Sequence, residues 1–223
     1  MNSSGLGLFW SGSPSLSSSA FTAGHSLPMS VGTKAELRRL LLRRRAQLPK
    51  ALRHELSQRI CSHLLVHPWL QEASAVHLYC SFGSEVETHK LCWELLKRGK
   101  RVAIPLVSPG ELELRHVWLR PGMVFHRNRW GIPEPVVTPA ECLTTEALGL
   151  QEYDLVLVPL VAYDRDFYRL GYGGGYYDRF LRHVRARRVG LAFSVQAVEQ
   201  LPREPHDIPL DAVATEEGIF LRP

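Results

Sequence analysis

Leu155-Val156-Leu157-Val158-Pro159-Leu160-Val161 is a run without a single charged or polar side chain. A strand with one face in water alternates apolar and polar residues, whereas a continuous apolar run is typical of a strand covered on both faces. Working outward, Tyr177, Phe180, Leu181 and Val184 recur at helical spacing, and Val189 to Phe193 reads as a second buried strand. Upstream, an apolar run from Ala75 to Phe82 precedes a helical stretch from about Thr88 to Lys97, which Gly99 stops; a further strand follows from Arg101 to Val107. Leu112 to Leu119 alternates with the period of a half-exposed strand, and a Pro- and Gly-rich connection runs through Trp130-Gly131-Ile132-Pro133-Glu134-Pro135. Alternating strands and helices imply a single α/β domain with a largely parallel central sheet flanked by helices. Its ligand site is expected at the carboxyl ends of the strands.

Two helices are expected to open the domain. Leu37, Leu40, Leu41 and Leu48 form one apolar stripe, and after the break at Pro49 the pattern resumes with Leu52, Leu56, Ile60 and Leu64. Thr33 and Glu36 have the spacing of a capping box for the first helix. The intervening Arg38, Arg39, Arg43, Arg44 and Arg45 are expected to line the solvated face. Residues 1–30, rich in Ser and Gly and without Lys, Arg, Asp or Glu, read as a disordered extension ahead of a folded domain at 31–223. That extension has neither the positive start of a secretory signal nor the arginines of a transit peptide, and Met29 is the expected native start.

The chain has 223 residues, 45% hydrophobic, enough for one domain with a sizeable core. The formal net charge of +5 is also that of many ordinary surfaces, so charge alone does not call for nucleic acid. Cys61, Cys80, Cys92 and Cys142 include no C-x-x-C pair, which argues against a zinc knuckle or redox motif and for a reducing, cytoplasmic setting. No apolar run approaches the roughly 18 residues of a membrane span. A monomer is the default expectation.

Between the buried strand and the late helix lies Arg169-Leu170-Gly171-Tyr172-Gly173-Gly174-Gly175-Tyr176-Tyr177-Asp178. Glycines at such density let successive N–H groups turn into one concavity that an oxyanion can approach, and the next helix adds its own free amides. The plainer alternative is a mobile turn that merely starts a helix. A Walker A loop is excluded because no G-x-x-x-x-G-K-[ST] is present, and a dinucleotide fingerprint because the loop does not follow its strand directly.

Together these stretches resemble the 5-formyltetrahydrofolate cyclo-ligases, also called methenyltetrahydrofolate synthetases. The resemblance spans Lys34 to about Phe220 and rests on five elements in the family's order. They are Lys34-Ala35-Glu36-Leu37-Arg38, Ser84-Glu85-Val86-Glu87-Thr88, the Trp130 to Pro135 segment, the Arg169 to Asp178 loop, and His206-Asp207. It implies an ATP- and magnesium-dependent ligase of one-carbon metabolism that closes 5-formyltetrahydrofolate to 5,10-methenyltetrahydrofolate through a phosphorylated formyl group. The resemblance further implies that Lys34, Arg38 and the stretch from Arg169 and Leu170 through Gly171, Tyr172, Gly173, Gly174, Gly175, Tyr176 and Tyr177 contact ATP. Cys80, Glu85, Trp130 and residues Tyr172 to Tyr176 would contact the folate, and Asp178 and Asp207 would hold Mg2+. Some members carry basic residues where this chain has Tyr172 and Gly174, which leaves less positive charge beside the phosphates here. Because related loops accept lysine at the place of Gly174, a side chain there is expected to point toward space or phosphate. Gly173 and Gly175 are then the places for positive φ or for contacts too close for a methyl group.

Two other classes compete with this reading. A nucleic-acid module built on the basic first helices would leave the glycine loop unexplained. A small-molecule kinase would use the same cradle on another acceptor.

Overall fold

The computed structural model describes residues 33–107, 110–129 and 131–223; residues 1–30, Met29 and Trp130, singled out above, lie outside that range. Helix α1 (Lys34–Gln47) opens with the expected capping box, in which the Glu36 N–H donates to Thr33 Oγ1 and the Thr33 N–H donates to Glu36 Oε2. Pro49 ends it by forcing extended backbone and then serves as N-cap to α2 (Lys50–Val66). A short α3 (Pro68–Glu72) leads into β1 (Ala75–Leu78); α4 (His89–Lys97) and β2 (Arg101–Leu106) follow, and then β3 (Arg115–Trp118). The hairpin β4–β5 (Phe125–Arg127, Pro133–Pro135) lies outside the main sheet, followed by α5 (Thr145–Leu148) and β6 (Leu155–Pro159). A second small hairpin, β7–β8 (Ala162–Tyr163, Arg169–Leu170), delivers the glycine loop to α6 (Tyr176–Arg182). Strands β9 (Arg187–Leu191), β10 (Ala212–Thr215) and β11 (Gly218–Leu221) complete the chain.

The main sheet has the order β11-β10-β9-β6-β1-β2-β3. Its five inner strands are parallel, and each edge strand is antiparallel to its neighbour. The buried run at 155–161 is the middle of this sheet, and successive residues of it face opposite layers. Leu155 and Leu157 join Val76, Leu78, Val102 and Ile104 beneath α2, α3 and α4. Val156 and Val158 join Phe180, Leu181 and Leu148 beneath α6 and α5. Each such aliphatic side chain contributes roughly 1.5–3 kcal/mol when fully buried, which fixes the strand in the interior.

Helix α1 sits apart from these layers. Its Leu41 packs with Val161, Ala162, Leu170, Val198 and Leu201, just past the carboxyl end of β6. The docked face keeps Leu37, Leu41 and Leu48 of the expected leucine stripe but departs from it elsewhere: Leu40 is half-exposed, while Arg45 is buried at 3% exposure. Lys34, Arg38, Leu41 and Arg45, spaced four, three and four apart, share one side of the helix. That side carries three cations toward the glycine loop.

Candidate active site

Several of the described residues singled out beforehand gather beyond the carboxyl ends of β1 and β6, where an α/β sheet places its ligands. From α1, the Lys34 ammonium donates to Asp207 Oδ2 at 2.8 Å and lies 3.4 Å from Glu204. One turn on, Arg38 Nε donates to the Gly171 carbonyl at 2.7 Å. Arg169, with only 3% of its side chain exposed, donates to Asp178 Oδ1 at 2.6 Å and to the Ile208 carbonyl at 2.8 Å. Three cations and three carboxylates, drawn from both ends of the domain, therefore gather about the loop.

The loop itself is shaped by two glycines, Gly173 at φ +102° and Gly175 at φ +66°. Arg38 and Arg179 take the carbonyls of Gly171 and Gly174. Among the described residues, no acceptor of the fold takes the amides of Gly173, Gly174 or Gly175. Donors left free beside cations are what an anionic ligand needs. Gly174 departs from expectation. Its φ is ordinary, yet a Cβ built there falls 2.8 Å from Tyr176 Cδ2, so a side chain meets the tyrosine ring and not open space. The ring lies there because Tyr176, the first residue of α6, reaches back to the Glu111 carbonyl.

Glu85 lies in the turn after β1, 5% exposed. Its carboxylate accepts the Phe82 N–H at 3.0 Å and the Tyr172 hydroxyl at 2.7 Å. Burial pushes its pKa up to about 7, against the downward pull of those two hydrogen bonds and of Arg45. Cys80, half-buried just beyond β1, packs against the core; burial pushes its thiol up to about 12, so it packs or touches a ligand as a neutral group. The Tyr177 hydroxyl is buried with no hydrogen-bond partner, and the groups acting on it are Glu85, Cys80 and Arg169. It is within electrostatic reach of both Glu85 and Arg169. An orphaned buried hydroxyl at such a place suits a partner that arrives with a ligand.

Of the two aspartates, Asp207 belongs to a group of ligand atoms that could hold a hard divalent cation, and Asp178, paired with Arg169, is not part of that group. Asp178 Oδ2 and Asp207 Oδ1 carry no hydrogen bond among the described residues, and ligand atoms of Glu204, His206 and Asp207 lie within 4.8 Å of one another. A separate cleft of 640 Å³ lies at the opposite, amino ends of the strands. Its charges are engaged within the fold: Arg187 pairs with Glu72, and Asp154 accepts the Ala75 and Gln151 amides.

Sequence reasoning missed Arg45. Its guanidinium donates to Ser84 Oγ at 3.0 Å, the Leu160 carbonyl at 3.1 Å and the Tyr172 hydroxyl at 2.7 Å. The signal available in the sequence was its spacing from Lys34, Arg38 and Leu41. Among the described residues, no helix is long and apolar enough to cross a membrane.

Comparison with known proteins identifies the family. A model of the 5-formyltetrahydrofolate cyclo-ligase family matches residues 30–216. The chain is 35% identical to 5-formyltetrahydrofolate cyclo-ligase of Escherichia coli over 182 residues, covering 80% of this chain and 97% of that one. It is 33% identical to the Haemophilus influenzae protein of the same name, covering 82% and 97%. The solved structure of Aquifex aeolicus 5,10-methenyltetrahydrofolate synthetase superposes with a TM-score of 0.71 at 35% identity, over 84% of this chain and 92% of that one. The buried middle strand, the glycine loop and the charged groups around it are thus those of a chain that belongs to the 5-formyltetrahydrofolate cyclo-ligase family.

Proposed function

We propose that the protein converts 5-formyltetrahydrofolate and ATP to 5,10-methenyltetrahydrofolate, ADP and phosphate, in the cytoplasm. The formyl oxygen attacks the γ-phosphorus and ADP leaves. The formyl carbon, now carrying a phosphorylated oxygen, is attacked by the 10-nitrogen; the ring closes and phosphate departs with that oxygen. Such transfer needs positioning and charge neutralisation more than covalent help from the protein.

The observation that carries this reading is the gathering of Lys34, Arg38 and Arg169 around a loop with free amides, beside the buried Glu85. In this reading the glycine loop and the three cations hold the triphosphate. Asp178 and Asp207 would hold magnesium, which when bound neutralises charge on the phosphate oxygens. The Glu85 carboxylate accepts the pterin ring N–H and amino group, with Cys80, Trp130 and Tyr176 as further folate contacts. Burial of Arg45 takes one cation out of any basic surface on α1, which weakens the nucleic-acid alternative.

The test is to incubate the full chain with Mg-ATP and 5-formyltetrahydrofolate and to follow the methenyl chromophore together with phosphate release. Stoichiometric appearance of both is expected. ATP consumption without chromophore would replace this reading with that of a different ATP-dependent enzyme.

A further inference from the structure

Arg45, Tyr172 and Glu85 form a continuous chain of hydrogen bonds from the first helix to the turn after β1. Arg45 donates to the Tyr172 hydroxyl at 2.7 Å, and that hydroxyl donates its own proton to Glu85 Oε1 at 2.7 Å. The Tyr172 ring has two further neighbours, Phe82 at 5.6 Å between centroids and the Arg45 guanidinium at 5.7 Å. A buried guanidinium is costly to keep unless its charge is answered. The direct partners of Arg45, a serine hydroxyl, a carbonyl and a phenol, are all neutral. The carboxylate that answers its charge is Glu85, reached through Tyr172. The arrangement fits a device for aiming a carboxylate more than a bolt that only fastens α1.

We infer that Arg45 is a positioning residue that, through the Tyr172 hydroxyl, aligns the Glu85 carboxylate for the pterin of the folate. The inference rests on the reading of Glu85 as the pterin acceptor. Tyr172 acts in this chain as a hydrogen-bonding link, and the glycine loop that cradles phosphate is thereby fastened to the group that receives the folate. The groups facing Glu85 are Arg45 from α1, Tyr79 and Cys80 from the end of β1, Tyr172 from the loop and Tyr177 from α6. Arg45 is the cation of that set. Both it and the Tyr172 hydroxyl favour the ionised form of Glu85, whereas burial opposes it. Removing either lets the protonated carboxyl, which cannot accept two pterin donors, persist to higher pH.

The test is steady-state kinetics of the full chain from pH 6 to 9, with Tyr172→Phe, Arg45→Met, Arg45→Lys and Glu85→Gln. Tyr172→Phe removes one oxygen and keeps the ring. It is expected to raise KM for 5-formyltetrahydrofolate about tenfold or more, as for loss of one hydrogen bond to a charged group, with little change in KM for ATP. The acid limb of kcat/KM for folate should move to higher pH. Arg45→Met should move it the same way, Arg45→Lys should restore part of the shift, and Arg45→Met added to Tyr172→Phe should shift it little further. If Arg45→Met does not fold, Tyr172→Phe alone decides. An unmoved acid limb and unchanged folate KM in Tyr172→Phe, alongside a damaging Glu85→Gln, overturns the inference and leaves the role of Glu85 standing. A Glu85→Gln protein that binds folate normally overturns both.

Discussion

Gly173→Ala, Gly174→Ala and Gly175→Ala add the same methyl group at three consecutive positions whose surroundings differ. At Gly173 the backbone stands at φ +102°, and the new Cβ would lie 3.2 Å from Arg38 Cζ. Positive φ costs a residue with a Cβ roughly 1–2 kcal/mol, and Arg38 must also loosen its bond to the Gly171 carbonyl. At Gly175 the backbone cost is similar, with φ +66°, but the 2.8 Å contact is with Arg179 NH1, the far end of a flexible side chain that can yield. At Gly174 no backbone cost applies; the Tyr176 ring must turn and forfeit its bond to Glu111. Kinetics at saturating folate should show kcat/KM for ATP reduced about tenfold or more by Gly173→Ala and somewhat less by Gly175→Ala, since 1.4 kcal/mol is a factor of ten. Gly174→Ala should change it by less than about threefold. For the same reason Gly174→Lys can add a cation beside the phosphates only after Tyr176 has swung aside. The account of the loop is wrong if Gly174→Ala harms the ATP parameter as much as Gly173→Ala.

Three further outcomes are expected. Asp178→Asn keeps the shape of the side chain and removes its charge, so turnover at limiting magnesium should fall by an order of magnitude or more; a magnesium titration superimposable on the parent's would remove Asp178 from the metal site. Glu85 titrates at about 7 in the fold against its ordinary 4.5, so between those values the folded chain keeps a proton that the unfolded chain has lost, and stability falls as pH rises. Glu85→Gln should therefore be more stable than the parent at pH 8, by up to about 3 kcal/mol, with the gap closing toward pH 4.5; equal urea midpoints at pH 8 would contradict this. A chain starting at Met29 retains the Thr33 capping box and every described core residue, so its melting temperature and turnover should match those of the full chain, and a large fall in either would refute that.

Much of the architecture was legible because buried parallel strands announce themselves: 155–161, 75–82, 101–107 and 189–193 all lie in or overlap sheet strands. The strands stop earlier than the apolar runs do, since hydrophobic side chains continue into the loops that pack beneath the site. Strand β10, fully buried with the sequence Ala212-Val213-Ala214-Thr215, is too short and small-sided to declare itself, and its partner β11 starts at a glycine. The hairpin β4–β5 was hidden by prolines at both ends of its second strand. Lys34, Arg38, Glu85, Arg169, Asp178 and Asp207 were proposed for the site through family resemblance, because nothing in local periodicity separates a ligand from a solvated charge. Arg45 escaped for a related reason. Its burial depends on Ser84, Leu160 and Tyr172, 39 to 127 residues away, and no window along one helix contains them.

The bond from Lys34 to Asp207 spans 173 residues, nearly the whole domain. Lys34 is among the first residues of the domain to emerge from a ribosome and Asp207 among the last. At roughly 5–20 residues per second the ammonium waits about 9–35 s for its carboxylate. Throughout that interval α1 exists without Asp207, and for most of it without Tyr172, which its charged face also meets. Assembly of the site is therefore the closing event of synthesis, and a chain cut short before Asp207, however well its early strands have paired, should be catalytically silent.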